Sequence, residues 1–173
     1  MKLPRVEELP NRSLPLSVDV IVEKRKLENH RWCDASWSVV GVLKGQTVEK
    51  PIVDRIIGGS SGNEQYRWQG FTLQLFADDA ESYYNNLLGQ QPGLFVICRP
   101  LEDTPVLEPL VVTASYDEAA SYMEVEEQVH RVAIDPEIYQ QIESFVVHYY
   151  FPSEKKKRKR KRWHDSGQRR DHQ

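Results

Sequence analysis

The stretch HRWCDASW, residues 30–37, places Arg31, Trp32, Asp34 and Trp37 within eight positions. A guanidinium beside two indole rings is equipped to hold a planar ligand by stacking and cation–π contact, with Asp34 available to orient Arg31. The competing reading is that both tryptophans fill the core beside an Arg31–Asp34 pair. A second stretch, EKKKRKRKRW, carries Lys155, Lys156, Lys157, Arg158, Lys159, Arg160, Lys161 and Arg162 without a break. Eight adjacent cations attract polyanions, whether nucleic acid, the phosphates of an anionic cofactor or an acidic protein face. A nucleic-acid arm of this kind loses roughly 0.9 log unit of affinity per log unit of salt for each phosphate it neutralises. No helix-turn-helix, RNP or zinc pattern stands behind the run, so sequence-specific reading of nucleic acid is not expected.

No catalytic constellation accompanies these stretches. The loop GGSSG at 58–62 lacks the lysine and following helix of a phosphate cradle. Asp78, Asp79 and Glu81 are paired carboxylates by composition, but neighbours on a helix point in different directions, and all three suit the first turn of a helix. His130 and His148 have no carboxylate or cysteine at ligand spacing and read as structural or surface histidines. Ser60, Ser61 and Ser115 lack a nucleophile elbow. Cys33 and Cys98, 65 positions apart, form no metal-binding pattern and fit ordinary thiols in a reducing compartment. These residues point to a protein that is not an enzyme, has no metal site and carries no cofactor of its own.

The elements that must position the two stretches follow from periodicity. Alternation at Leu16, Val18, Val20 and Val22 makes a strand that ends in the charged EKRK, and 36–43 make a second. KGQTVEKPIVDRIIGGSSGNEQ, residues 44–65, reads as a flexible connection, a long hairpin loop. The stretch from Tyr66 to Leu75 alternates as a third strand with aromatics on both faces. A helix is expected over 81–88, started by Asp78 and Asp79 and stopped by Gly89. Residues 92–99 form a continuous apolar strand, with 107–114 beside it. Ser115 and Glu118, at capping-box spacing, open a second helix, 128–132 a last strand, and Asp135-Pro136 a third helix with Ile138, Ile142, Phe145 and Val146 inward. Strands and helices without βαβ repetition predict an α+β fold: one domain with a mainly antiparallel sheet and about three helices. That domain is expected over 15–152, between a flexible segment at 1–14 and a disordered basic tail at 153–173.

Charge divides the chain at Glu154. Residues 155–173 hold ten Lys and Arg against two Asp, a net of +8, while residues 1–154 hold 13 basic and 24 acidic residues, a net of −11. Pro4, Pro10 and Pro15 break up the N-terminal apolar residues, and no run approaches the ~18 apolar residues of a bilayer span. The expected location is the cytoplasm, without membrane contact.

In order along the chain stand a strand ending in EKR, the RW-x-D-x-x-W element, the helix DDAESYYNNL, the helix start VTASYDEA and the basic run. From residue 14 to 162 this succession resembles an uncharacterised proteobacterial family encoded beside molybdenum-dependent formate dehydrogenases, some of whose members carry the label molybdopterin-guanine dinucleotide biosynthesis protein. In that family the position of Cys33 often holds another polar residue, which speaks against thiol chemistry there. The resemblance implies a genomic context and supplies no catalytic residue.

Together these readings give the expected function: a non-catalytic accessory or assembly factor for a molybdenum-dependent formate dehydrogenase. Arg31, Trp32, Asp34 and Trp37 would contact the client, and the basic run would dock on an acidic partner, such as a formate dehydrogenase subunit, or on an anionic cofactor. The alternatives are a nucleic-acid-binding regulator using the basic run and an enzyme of molybdopterin nucleotide biosynthesis.

Overall fold

Strand β1 (Ser13–Lys26) organises the domain. In the computed structural model, which describes residues 12–28, 35–50, 52–56, 63–100, 107–125 and 127–152, its even-numbered residues Leu14, Leu16, Val18, Val20 and Val22 are all buried. A strand points alternate side chains to opposite faces, so these five share one face. Strand β1 pairs antiparallel with β2 (Ala35–Lys44) on one side and with β4 (Glu64–Phe76) on the other. A short β3 (Ile52–Ile56) adds to β4, giving a first sheet in the order β2-β1-β4-β3.

The second sheet is antiparallel too, in the order β6-β5-β7, built from β5 (Gly93–Pro100), β6 (Leu107–Thr113) and β7 (Gln128–Ala133). Leu94, Val96 and Cys98 on one face of β5 join Val18, Val20 and Leu73 of the first sheet in one buried cluster. Strand β2 lies against β7 and β4 against β6. The other face of β5, with Phe95 and Ile97, is covered by α2 (Tyr116–Met123). With a layer on each side, the strand needs no polar face, and its six residues from Gly93 to Cys98 are all buried.

Helices α1 (Ala80–Leu88) and α3 (Pro136–Tyr149) pack on each other and close the core with Tyr83, Ile142 and Phe145. Full burial of side chains such as Ile142 and Phe145 stabilises the fold by roughly 1.5–3 kcal/mol each. The expected caps form at two of the three helices. Ser115 Oγ accepts from the Glu118 amide at 3.2 Å, and Asp135 Oδ1 from the Glu137 amide at 3.0 Å ahead of Pro136. At α1 the expectation fails, because the Asp79 side chain makes no capping hydrogen bond. The chain enters α1 through a 3-10 turn, Ala77–Asp79, which leaves Asp78 and Asp79 as acids at the positive end of the helix. Gly89 ends α1 in an extended conformation, φ −61° and ψ 158°, not in the left-handed one.

The described residues thus form an α+β domain with three helices and seven strands in two antiparallel sheets. Strand β3 lies inside the stretch 44–65 expected to be a flexible connection, and corrects that expectation. All of its residues but Ile56 are exposed, and at the sheet edge it has neither a dry face nor an apolar alternation to announce it.

Candidate functional site

Two bulges decide which side chains meet. Between Val18 and Val20 of β1, the partners on β4 jump from Phe71 to Trp68. Gln69 and Gly70 stand opposite the single residue Asp19, and Gly70 takes φ 95°, which a side chain would oppose. The extra residue reverses the parity of β4. Leu75, Leu73 and Phe71 face the core at odd numbers, and beyond the bulge Trp68, Tyr66 and Glu64 face the same side at even numbers. Strand β2 does the same in the other direction, with a register shift between Val42 and Val39 that carries Trp37 onto the core side.

The result is an aromatic group at the end of the first sheet, where β1 stops and β2 begins. Trp37 and Tyr66 sit on strands either side of β1, and their rings meet over it at 5.5 Å between centroids. Trp68 follows on the same face, opposite the fully buried Val20. All three are half-buried. The indole Nε1 of Trp37 and of Trp68 is buried without a hydrogen-bond partner, and an unmade hydrogen bond at a buried donor costs about 1–3 kcal/mol.

Cations border the aromatics. Lys24 Nζ lies 5.6 Å from the Trp37 ring centroid. Arg55 pairs with Glu64 at 3.1 Å, and Tyr66 donates its hydroxyl proton to the other oxygen of Glu64 at 2.7 Å. The Tyr66 hydrogen bond, aided by Arg55, Lys24 and Lys26, holds the Glu64 carboxyl below its usual range, and the same bond raises the Tyr66 phenol. In a chain whose first 154 residues carry a net of −11, Lys24, Lys26 and Arg55 all act on the Glu64 carboxylate at this end.

Of the residues expected at the site, Trp37 takes its place in this group, with Lys24 as its cation–π partner. Arg31, Trp32 and Asp34 lie outside the described residues, as do Lys155 to Arg162. Tyr66, Trp68, Lys24, Arg55 and Glu64 were not expected there. The signal that could have found Tyr66 and Trp68 is Gly70, a glycine inside a strand pattern, which marks a bulge and a change of face.

Over residues 17–159 the chain matches the profile of a family described as a protein of unknown function, DUF3305. The chain belongs to this family. The matched span runs from β1 past α3 and reaches into the basic run as far as Lys159, so the DUF3305 region takes in the aromatic end together with the first five cations of the run. No curated protein and no solved structure matches the chain.

Other chemically able groups of this DUF3305 domain lie elsewhere. Burial pushes the Cys98 thiol up to about 12, which keeps it protonated and unreactive. His130 stands on the core side of β7 opposite Val96, and burial lowers its pKa. His148 lies edge-on to Tyr149 at 4.6 Å. Among the described residues no group of three His, Cys, Asp or Glu is placed to hold a metal ion, and no helix is long and apolar enough to cross a membrane.

Proposed function

We propose that this protein is a non-catalytic accessory or assembly factor that acts in the cytoplasm and binds an acidic client through the aromatic end of its first sheet. The observation that carries the reading is the Trp37–Tyr66–Trp68 group bordered by Lys24, Lys26 and Arg55. Tryptophan, tyrosine and arginine are the residues that anchor protein interfaces, because they bury large rigid surfaces and keep a polar handle. Cations at the rim select an acidic partner and speed encounter more than they add affinity.

The basic run extends the same preference. Lys155 to Arg162 would grip an acidic patch on the client or the phosphates of its cofactor, and the net of −11 on the rest of the chain works against a nucleic-acid partner. The client is proposed from the family resemblance as a subunit of a molybdenum-dependent formate dehydrogenase. The test is affinity capture from cells producing the tagged protein, either whole or ending at residue 154. The whole chain is expected to recover the enzyme subunit and the shortened one to recover less. Recovery of no formate dehydrogenase subunit by either form overturns the proposal.

A further inference from the structure

The outer face of the second sheet carries a cleft that the client reading does not use. It encloses about 430 Å³ and is lined by Ser82 and Asn85 of α1, Phe95 and Arg131 of the sheet, and Tyr116 and Asp117 at the start of α2. This is within the size range of small-molecule sites, roughly 300–1,000 Å³. Phe95 and Arg131 are direct cross-strand partners, so they stand side by side on one face. Phe95 meets Tyr116 edge to face at 5.9 Å between centroids, which gives the cleft an aromatic wall.

Arg131 is seated there by a glycine. A methyl group at Gly93 would fall 2.6 Å from Arg131 Nε and 2.9 Å from its Cγ, so only glycine lets the arginine stem lie across β5. The described ion pairs engage Arg25, Lys44, Arg55, Arg67 and Arg99. Arg131 is in none of them, although Asp117 lines the same cleft. Asn86 is fully occupied in holding α1 to the sheet, donating to Gly93 O at 2.8 Å and Ala114 O at 2.9 Å and accepting from Gly93 N at 3.2 Å. The neighbouring Asn85 side chain makes no hydrogen bond among the described residues, and its amide is available to a ligand.

We propose that this cleft binds a small planar aromatic anion. Its ring would lie against the exposed Tyr116, with the edge of the nearly covered Phe95 behind it, and its carboxylate or phosphate would meet the planar fork of Arg131, with Asn85 as a further donor. The site is separate from the aromatic end of the first sheet, so the proposal stands or falls independently of the client reading.

The test is titration of the full-length ¹⁵N-labelled protein with 2-naphthoate and with phenyl phosphate, followed by NMR, with 2-naphthalenemethanol as the neutral control. At least one anion is expected to shift the Asn85 side-chain amide, the Gly89 amide and the Arg131 Nε–H signal saturably below about 10 mM, and the neutral analogue to bind more weakly. Arg131→Gln is expected to weaken binding about tenfold or more, while Asp117→Asn tightens it by removing a like charge. These opposite signs separate a binding role from a structural one, and Trp37→Ala is expected to change neither. Absence of saturable shifts with both anions, equal binding of the neutral analogue, or unchanged affinity in a folded Arg131→Gln protein overturns the proposal.

Discussion

Asp19 and Glu23 stand four residues apart on the face of β1 turned away from the core, both nearly covered at 7% and 9% exposure. Glu23 accepts hydrogen bonds from Gln65 at 3.0 Å and Arg25 at 3.2 Å, and its pKa is lowered, chiefly by Gln65. Asp19 has no partner at Oδ1, and Arg67 is 3.8 Å from Oδ2. Burial therefore dominates and raises its pKa, with Arg67 offsetting only part. Linkage makes the consequences opposite in sign. The lowered Glu23 contributes stability above the ordinary carboxylate range and loses it as the pH falls through its folded-state pKa. The raised Asp19 favours the folded state when protonated, and that contribution is lost as the pH rises through its folded-state value. Asp19→Asn is expected to raise the melting midpoint at pH 7, with the gain gone below about pH 4, and Glu23→Gln to lower it at pH 7 with the loss fading on acidification. Thermal melts across that range check both, and the same sign for the two variants at pH 7 contradicts the assignment. Gly45 adds a steric prediction beside them. A methyl group there would press on the Asp19 carboxylate and lie 2.8 Å from the Val18 carbonyl carbon. Gly45→Ala is expected to cost about 1–3 kcal/mol in denaturant unfolding.

Helix α1 is fixed to the rest of the domain by two polar side chains as well as by its apolar stripe. Asn86 makes three hydrogen bonds to the backbone of Gly93 and Ala114, and the buried Tyr83 hydroxyl accepts from the Phe76 amide at 3.1 Å. At about 1 kcal/mol per bond, Asn86→Ala is expected to cost about 3 kcal/mol and Tyr83→Phe about 1 kcal/mol. Urea unfolding of both variants measures the difference, and equal losses would contradict it. The helices and the strands β1, β5 and β7 were legible in the sequence because their apolar spacing matches a period of 3.6 or 2, or fills a short run completely. Strand β3 was not, since an exposed edge strand has no buried face to reveal it. In β2 and β4 the period itself breaks. Strict alternation sets Tyr66 and Trp68 opposite Phe71 and Leu73, whereas the bulge at Gly70 brings all four to one side. Of the candidate site, Trp37 was therefore readable in the sequence, whereas its neighbours Tyr66 and Lys24 were set by register that only pairing reveals, and Arg31, Trp32 and Asp34 lie outside the described residues.

At the scale of the whole molecule, charge and aromatic surface point to the same kind of partner. The chain joins residues of net −11 to a basic run, and the family match takes in most of the former and the first five residues of the latter, while Lys24, Lys26 and Arg55 lie at the aromatic end of the first sheet. Steering by exposed charges weakens once the Debye length contracts from about 10 Å at 0.1 M salt to about 3 Å at 1 M. Contact made by Trp37 and Tyr66 is far less sensitive to salt. Removing residues 155–173 is therefore expected to slow client association mainly at low salt, and Trp37→Ala to speed dissociation at every salt concentration. The most direct measurement is surface-based binding of the purified formate dehydrogenase catalytic subunit to the immobilised full-length protein and to its Trp37→Ala variant. The account predicts saturable binding that the variant weakens about tenfold or more, as expected for an interface anchor. No binding by the full-length protein, or equal affinity of a folded Trp37→Ala protein, would contradict it.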